Sequence, residues 1–325
     1  MSRHSSQVEI AKTALRVSRL GLGTAPLGGL FTTVLDQDSD DLVREAFKEG
    51  INFFDTAPQY GHGTAEIRLG RILQSVDKQY VLETKVGRVL NPTNKADTAW
   101  FADANPNLEP VFDFSSDGIK RSIEESLKRL GVDSIDIALL HDAEDNLEQA
   151  INEAYPVLND YRNQGIIKAV GTGMNFCEPT VRIMSECDLN VVLIAGRYTL
   201  LDQEAQRELL PLALKKNVTV IAAGVFNSGV LANPNPGATF NYLPASAEVI
   251  QKAREIALFL ESQGISLTAA ALQFPLRHSA VSVVLTGSRS KTELLSNINH
   301  FNEQIPNSLW EELENAGLIE RSKEN

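Results

Sequence analysis

Cysteine is nearly absent: Cys177 and Cys187 are the only two in 325 residues. Two thiols cannot build the disulfide framework that staples small secreted domains, so a reducing compartment is expected. Both are expected to be ordinary buried or half-buried thiols. Metal-ligand spacing is missing as well. The five histidines form no HxxxH or HExxH pair and the cysteines no CxxC, so no metal site is expected. Positive charge is scarce, with 30 Lys and Arg against 42 Asp and Glu, a net charge of −12. That excludes the broad basic surface a nucleic-acid binder needs to displace counterions from phosphates. No apolar run approaches membrane-spanning length. The opening residues MSRHSSQVEIAKTALRV carry neither the apolar core nor the cleavage pattern of a signal peptide, so a cytoplasmic protein without membrane association is expected. What remains is 43% apolar and 22% charged, enough to bury a large core without staples.

Short apolar, β-branched runs recur, each but the first preceded by a helix-like stretch. They are RVSRLGLGTA (16–25), INFFD (51–55), YVLETK (80–85), SIDIALLH (134–141), IIKAVGTG (166–173), NVVLIAG (190–196), NVTVIAAG (217–224) and AVSVVLTG (280–287). Near-continuous apolar runs suit strands covered on both faces, and regular strand–helix alternation predicts a parallel sheet. Eight such units predict an α/β fold, a closed (β/α)8 TIM barrel over residues 1–325, with an open doubly wound sheet as its rival. No linker divides the chain. One long irregular segment, 86–114, follows the third strand and is expected at the catalytic face.

In such a barrel the C-terminal strand ends carry the chemistry. Those ends supply Asp55, Thr84, Lys85, His141 and Asp142, and the turn after the second strand adds Tyr60. Asp55, Tyr60, Lys85 and His141 are therefore expected on one rim. A phenol titrates near ~10 and is inert at neutral pH. A lysine ammonium in hydrogen-bond reach is expected to lower that value, with an aspartate holding the lysine charged and a histidine sharing the substrate oxygen.

The segments FFDTAPQYGHGTAEIRLG, LETKVG, SIDIALLHD, GIIKAVGTGMN, FNSGVLA and TGSRSKTELLSNI occur in an order that resembles the aldo-keto reductase superfamily, over about residues 16–300. RLGLGTAPLGGL, FDFSSDGIKRSIEESLKRLGVDSIDIALLHD and AGRYTLLDQ look closer to its aldose 1-dehydrogenase branch, which includes L-fucose, L-galactose and D-arabinose dehydrogenases and pyridoxal 4-dehydrogenase. The resemblance implies an Asp55–Tyr60–Lys85–His141 tetrad and NAD(P) bound without a Rossmann domain. GLGTAPLGG (21–29) agrees, since Pro26 stands where the third glycine of GxGxxG would.

By the same resemblance Gly23 and Thr24 approach the nicotinamide and Asn175 bonds its carboxamide. Ser228, Gly229 and Leu231 follow the pyrophosphate. Gly287, Ser288, Arg289, Glu293 and Asn297 form the last phosphate and adenosine loop, whose backbone N–H groups suit an anion. Ala223, Met174 and Ala195 depart from common family residues around the nicotinamide. Gly287 and Glu293 replace cationic residues of the 2′-phosphate subsite, while Arg289 stays nearby. NAD is thus expected to be preferred, with NADP the alternative. His62, Trp100, Phe101, Arg197 and Tyr198 are candidate walls for a sugar. The expected reaction is oxidation of an aldose's anomeric hydroxyl to a lactone. Alternatives are pyridoxal oxidation, NADPH-dependent aldehyde reduction, or a cofactor-binding regulatory subunit with slow turnover. The oligomeric state is not readable from these residues.

Overall fold

The structure is a computed structural model and describes residues 2–322; Met1 and residues 323–325 of the expected 1–325 unit lie outside the described residues. The chain opens with a small hairpin, β1 (Gln7–Glu9) and β2 (Arg16–Ser18), followed by β3 (Leu20–Gly23), α1 (Asp36–Lys48), β4 (Phe53–Asp55), α2 (Thr64–Leu73) and β5 (Val81–Val86). A second hairpin, β6 (Arg88–Pro92) and β7 (Leu108–Phe112), leads into α3 (Ser116–Leu130) and β8 (Ile137–His141). A short α4 (Leu147–Gln149), a π-helical turn (Ala150–Ala154) and α5 (Tyr155–Asn163) precede β9 (Ala169–Met174). Then come α6 (Cys177–Glu186), β10 (Val191–Ala195), α7 (Leu209–Lys216) and β11 (Thr219–Ala223). A third hairpin, β12 (Thr239–Phe240) and β13 (Leu243–Pro244), is followed by α8 (Ala247–Ser262), α9 (Leu267–Gln273), β14 (Val281–Gly287), α10 (Lys291–Asn302) and α11 (Asn307–Asn315).

Eight strands, β3, β4, β5, β8, β9, β10, β11 and β14, pair in parallel and close into a barrel, with β14 returning to β3. Closure removes the doubly wound alternative. The two-residue period of a strand divides each side chain between two cores. Phe53, Val81, Ile137, Leu139, Val191 and Ile221 pack together inside the barrel. Phe54, Leu82, Ala138, Leu140 and Val192 pack outward among the helices. On β5 this alternation sends Glu83 and Lys85 inward with Val81, and Thr84 outward, where its hydroxyl donates to Glu66 of α2 at 3.0 Å.

Two expectations need correction. The first run, 16–25, is not one strand: β2 pairs antiparallel with β1, and only Leu20–Gly23 joins the barrel. Ile10, Leu15 and Val17 of that hairpin pack on the interior core and plug the end remote from the strand C-termini. Segment 86–114 is not wholly irregular, because Arg88–Pro92 pairs with Leu108–Phe112 in continuous antiparallel register. The intervening loop folds back over the barrel mouth. Phe31 N–H donates to the Trp100 carbonyl at 3.1 Å, and Arg68 of α2 donates to the Asp103 carboxylate at 2.7 Å. Among the described residues no helix is long and apolar enough to cross a membrane.

Candidate active site

Asp55 ends β4, Lys85 lies near the end of β5 and His141 ends β8, so three neighbouring strands deliver them to one rim. Tyr60 arrives on the turn between β4 and α2. That turn packs directly against the one after β3: a Cβ on Gly28 would fall 2.5 Å from the Gly61 nitrogen, so only glycine permits the approach.

The Lys85 ammonium has three N–H donors and three acceptors. It pairs with the Asp55 carboxylate and donates to the Thr56 carbonyl at 3.1 Å and to the Tyr60 hydroxyl at 3.0 Å. Tyr60 therefore accepts from the lysine and keeps its own O–H hydrogen for the cavity. Burial works against the Lys85 charge, but its acidic surroundings, Asp55 first among them, outweigh it, and its pKa lies above the ordinary value. Burial raises the pKa of Asp55, and the adjacent ammonium opposes that rise.

The expected acidification of the phenol is not what the site shows. Burial pushes the Tyr60 pKa upward, and Lys85 only partly offsets it. The protein alone holds a neutral phenol. His141 is also buried, and burial together with the Arg88 and Lys85 charges depresses its pKa well below the usual histidine range. It is a neutral imidazole at 89° and 6.0 Å, ring to ring, from Tyr60.

A cavity of about 960 Å³ opens over this rim, at the upper end for ligand sites. Gly23, Asp55, Tyr60, Lys85, Trp100, Phe101, His141, Asn175, Ser228, Gly229, Gly287, Ser288, Arg289, Glu293 and Asn297 all line it, as do Met174, Ala195 and Ala223. Five expected residues do not. Thr24 and Leu231 are fully buried behind the wall. His62 is buried too, with its Nδ1 3.3 Å from the Asn105 carbonyl, pinning the long loop instead of facing a sugar. Tyr198 packs on Phe274, 5.1 Å ring to ring. Arg197 acts from behind, donating to the Asn175 carbonyl at 2.7 Å and pairing with Asp202 at 2.9 Å.

The structure gives Asp142 and Trp100 partners the sequence did not show, and adds Phe31 and Tyr242 to the lining. Asp142 joins Arg88 of β6, at 2.6 Å, to the Asn175 side-chain amide, at 3.0 Å. That leaves the Asn175 side-chain oxygen as an acceptor. Phe31, Trp100 and Tyr242, from three separate loops, meet at the mouth with ring centroids 5.8 to 6.3 Å apart. Tyr242 sits in the Asn241–Tyr242 turn of the β12–β13 hairpin, both residues at positive φ, and no local pattern in FNYLP announces that turn.

The cavity suits a nicotinamide dinucleotide. Buried polar atoms at its wall, Thr286 Oγ1, Asn227 Oδ1 and His141 Nδ1, have no partner among the described residues. The wall is open at Gly229, where a Cβ would meet nothing within 4 Å. Helix α10 begins beside Ser288 and Arg289, with Ser290 accepting from the Glu293 N–H at 3.3 Å, so the positive end of the helix dipole lies at the cavity wall, where it favours an anion.

The aldo/keto reductase family model matches residues 19–317. Among known proteins, the chain is 39% identical to pyridoxal 4-dehydrogenase of Microbacterium luteolum, over 97% of this chain and 98% of that one. It is 36% identical to D-threo-aldose 1-dehydrogenase of a Pseudomonas species at the same coverages. An aldo-keto reductase structure from Bacillus halodurans shares the fold, with a TM-score of 0.77 over 97% of this chain and 96% of that one at 24% identity. On that match across the whole barrel, the chain belongs to the aldo/keto reductase family of nicotinamide-dependent oxidoreductases.

Proposed function

We propose that this enzyme oxidises the anomeric hydroxyl of a cyclic aldose, of the L-fucose, L-galactose or D-arabinose type, to a lactone, with NAD preferred over NADP. One observation carries the reading: the saturated donor set of Lys85, which grips the Tyr60 oxygen and leaves the phenol hydrogen to the cavity. Similarity to an aldose 1-dehydrogenase supports the substrate class.

A bound nicotinamide would supply the acceptor for the hydride. The chain's own residues manage the proton. Loss of the Tyr60 proton to solvent gives a phenolate that the Lys85 N–H and charge stabilise. That phenolate takes the proton of the anomeric hydroxyl while the anomeric C–H bond breaks and the C–O bond becomes the lactone carbonyl. His141, being neutral, hydrogen-bonds the same oxygen without competing for its proton, and fixes its line to Tyr60. In the reverse direction Tyr60 returns the proton.

The cofactor preference rests on Arg289. Apart from Lys85, it is the only Lys or Arg among the described residues lining the cavity. Its guanidinium pairs with Glu293 at 2.9 Å and its backbone N–H donates to the same carboxylate at 2.8 Å. A ribose 2′-phosphate would have to displace that carboxylate, whereas a 2′-hydroxyl could donate to it. Measured kcat/KM should favour NAD; a tenfold or larger preference for NADP contradicts the assignment.

A second reading has its own support. Pyridoxal closes on its neighbouring hydroxymethyl group to a cyclic hemiacetal, the same functional group as an anomeric centre. The Phe31, Trp100 and Tyr242 rings at the mouth would stack on its pyridine ring, and the 39% identical relative is a pyridoxal 4-dehydrogenase.

A further inference from the structure

Beneath the rim lies an ionisable side chain that the mechanism does not use. Glu83 is fully buried inside the barrel. It stands in register between Asp55 of β4 on one side and Ile137 of β8 on the other, and Lys85 follows two residues along the same strand. Both Glu83 carboxyl oxygens lack any N–H or hydroxyl partner among the described residues. Among the described residues the charged neighbour from β4 is Asp55, and from β5 it is Lys85. Ile137 and Leu139 of β8 bring no charge.

The charge count decides the state of this cluster. Two carboxylates and one ammonium, sealed over Phe53, Val81 and Ile137, would leave one uncompensated negative charge in an apolar layer. The Lys85 donors are already spent on Asp55, Thr56 and Tyr60. Removing the charge therefore requires a proton on one carboxyl. Asp55 holds the ammonium directly, so the proton belongs on Glu83, where burial and the Asp55 charge both favour it. Protonated, Glu83 becomes a donor, and the Asp55 carboxylate, directly across from it in register on β4, supplies the acceptor.

We propose that Glu83 is a positioning residue, a neutral carboxylic acid that hydrogen-bonds Asp55 from below and thereby fixes the carboxylate that holds Lys85 against Tyr60. The kinetic part rests on the proposed sugar oxidation; the protonation part does not. Without this donor Asp55 could turn away from its ion pair, and the Tyr60–Lys85 distance would be less well held. The effect falls on proton transfer and not on binding.

The test combines spectroscopy and kinetics. Infrared spectra of the wild-type protein at neutral pH should show the C=O stretch of a buried protonated carboxyl, lost in Glu83→Gln. Glu83→Gln keeps the shape and an N–H donor, and should hold kcat within about threefold of wild type. Glu83→Leu removes the donor and should lower kcat about tenfold or more, with KM for sugar and NAD affinity within about twofold. Absence of the carboxylic acid band at neutral pH overturns the proposal, as does full kcat in Glu83→Leu. If Glu83→Leu does not fold, the band and its loss in Glu83→Gln still decide. If the wild type oxidises no sugar, the proposed function fails while the band continues to test Glu83 alone.

Discussion

Tyr60 is where the chemistry of this site becomes testable residue by residue. Its hydroxyl accepts from Lys85, so Tyr60→Phe removes the proton carrier and leaves the buried Asp55–Lys85 pair intact. Turnover should fall by about 10³-fold, with NAD affinity within about threefold; substantial activity would remove the tyrosine from the mechanism. Lys85→Ala is a poorer probe, since it strands Asp55 as an unpaired buried charge, worth about 3–5 kcal/mol of stability. The raised phenol pKa sets the pH dependence. Oxidation needs the phenolate, and a raised pKa makes it scarce at neutral pH, so kcat/KM for the sugar should climb with pH across the neutral range; a flat or falling profile contradicts this. Asp55, Tyr60, Lys85 and His141 were legible in the sequence because each follows an apolar run, and strand ends are where barrels expose function. The sign of the Tyr60 shift was not legible, because burial depends on the walls that other loops build. Glu83 left only a faint trace, as the inward partner of Lys85 in YVLETK, visible once the strand's alternation is known.

Among the elements, the β6–β7 hairpin and its tip do most to shape the cavity mouth. Arg68 anchors that tip by bonding Asp36, the Leu27 carbonyl and Asp103 at 2.8, 2.6 and 2.7 Å. Asp103 also accepts from the Val34 N–H at 2.9 Å, so one carboxylate ties the loop to the turn after β3. Arg68→Ala should cost about 1.5–3 kcal/mol in urea unfolding at neutral pH and raise KM for sugar by loosening Trp100 and Phe101. The pH sign follows from Asp103. Burial raises its pKa, but Arg68 and Val34 more than reverse this, leaving it below the ordinary 3.8. The stabilisation is present above that value and is lost as pH falls through the lowered pKa, so wild type and Arg68→Ala should converge in acid. An undiminished gap at low pH would locate the effect elsewhere. Residues 86–114 hid their strands because Pro92 and Pro110 lie within five-residue runs that stay partly solvated, and pairing across a 15-residue gap has no local signature. The β1–β2 plug was masked likewise, its apolar residues merging with the first barrel strand.

At the scale of the whole molecule the two barrel ends do different work: one is plugged by β1–β2, and the other carries a cavity that runs from the Tyr60 rim to the start of α10. Over that length its charge is nearly all spoken for, Lys85 by Asp55 and Arg289 by Glu293. Freeing one cation should change cofactor choice: Glu293→Gln is expected to raise kcat/KM with NADP about tenfold relative to NAD, and an unchanged ratio would take Arg289 out of the discrimination. The barrel class was legible from strand order, and most of the residues expected along the cofactor line the cavity. The misassigned walls, His62, Arg197 and Tyr198, are near the rim in sequence but turn into packing, which no linear pattern distinguishes. The most direct test of the central claim is initial-rate formation of NADH from NAD with L-fucose, L-galactose, D-arabinose, pyridoxal and simple aldehydes and alcohols, with the lactone identified as product. At least one aldose should be oxidised to its lactone with a kcat/KM tenfold or more above that for simple alcohols, and that activity should fall about 10³-fold in Tyr60→Phe. Oxidation of no aldose, with turnover confined to NADPH-driven reduction of aldehydes, would contradict it.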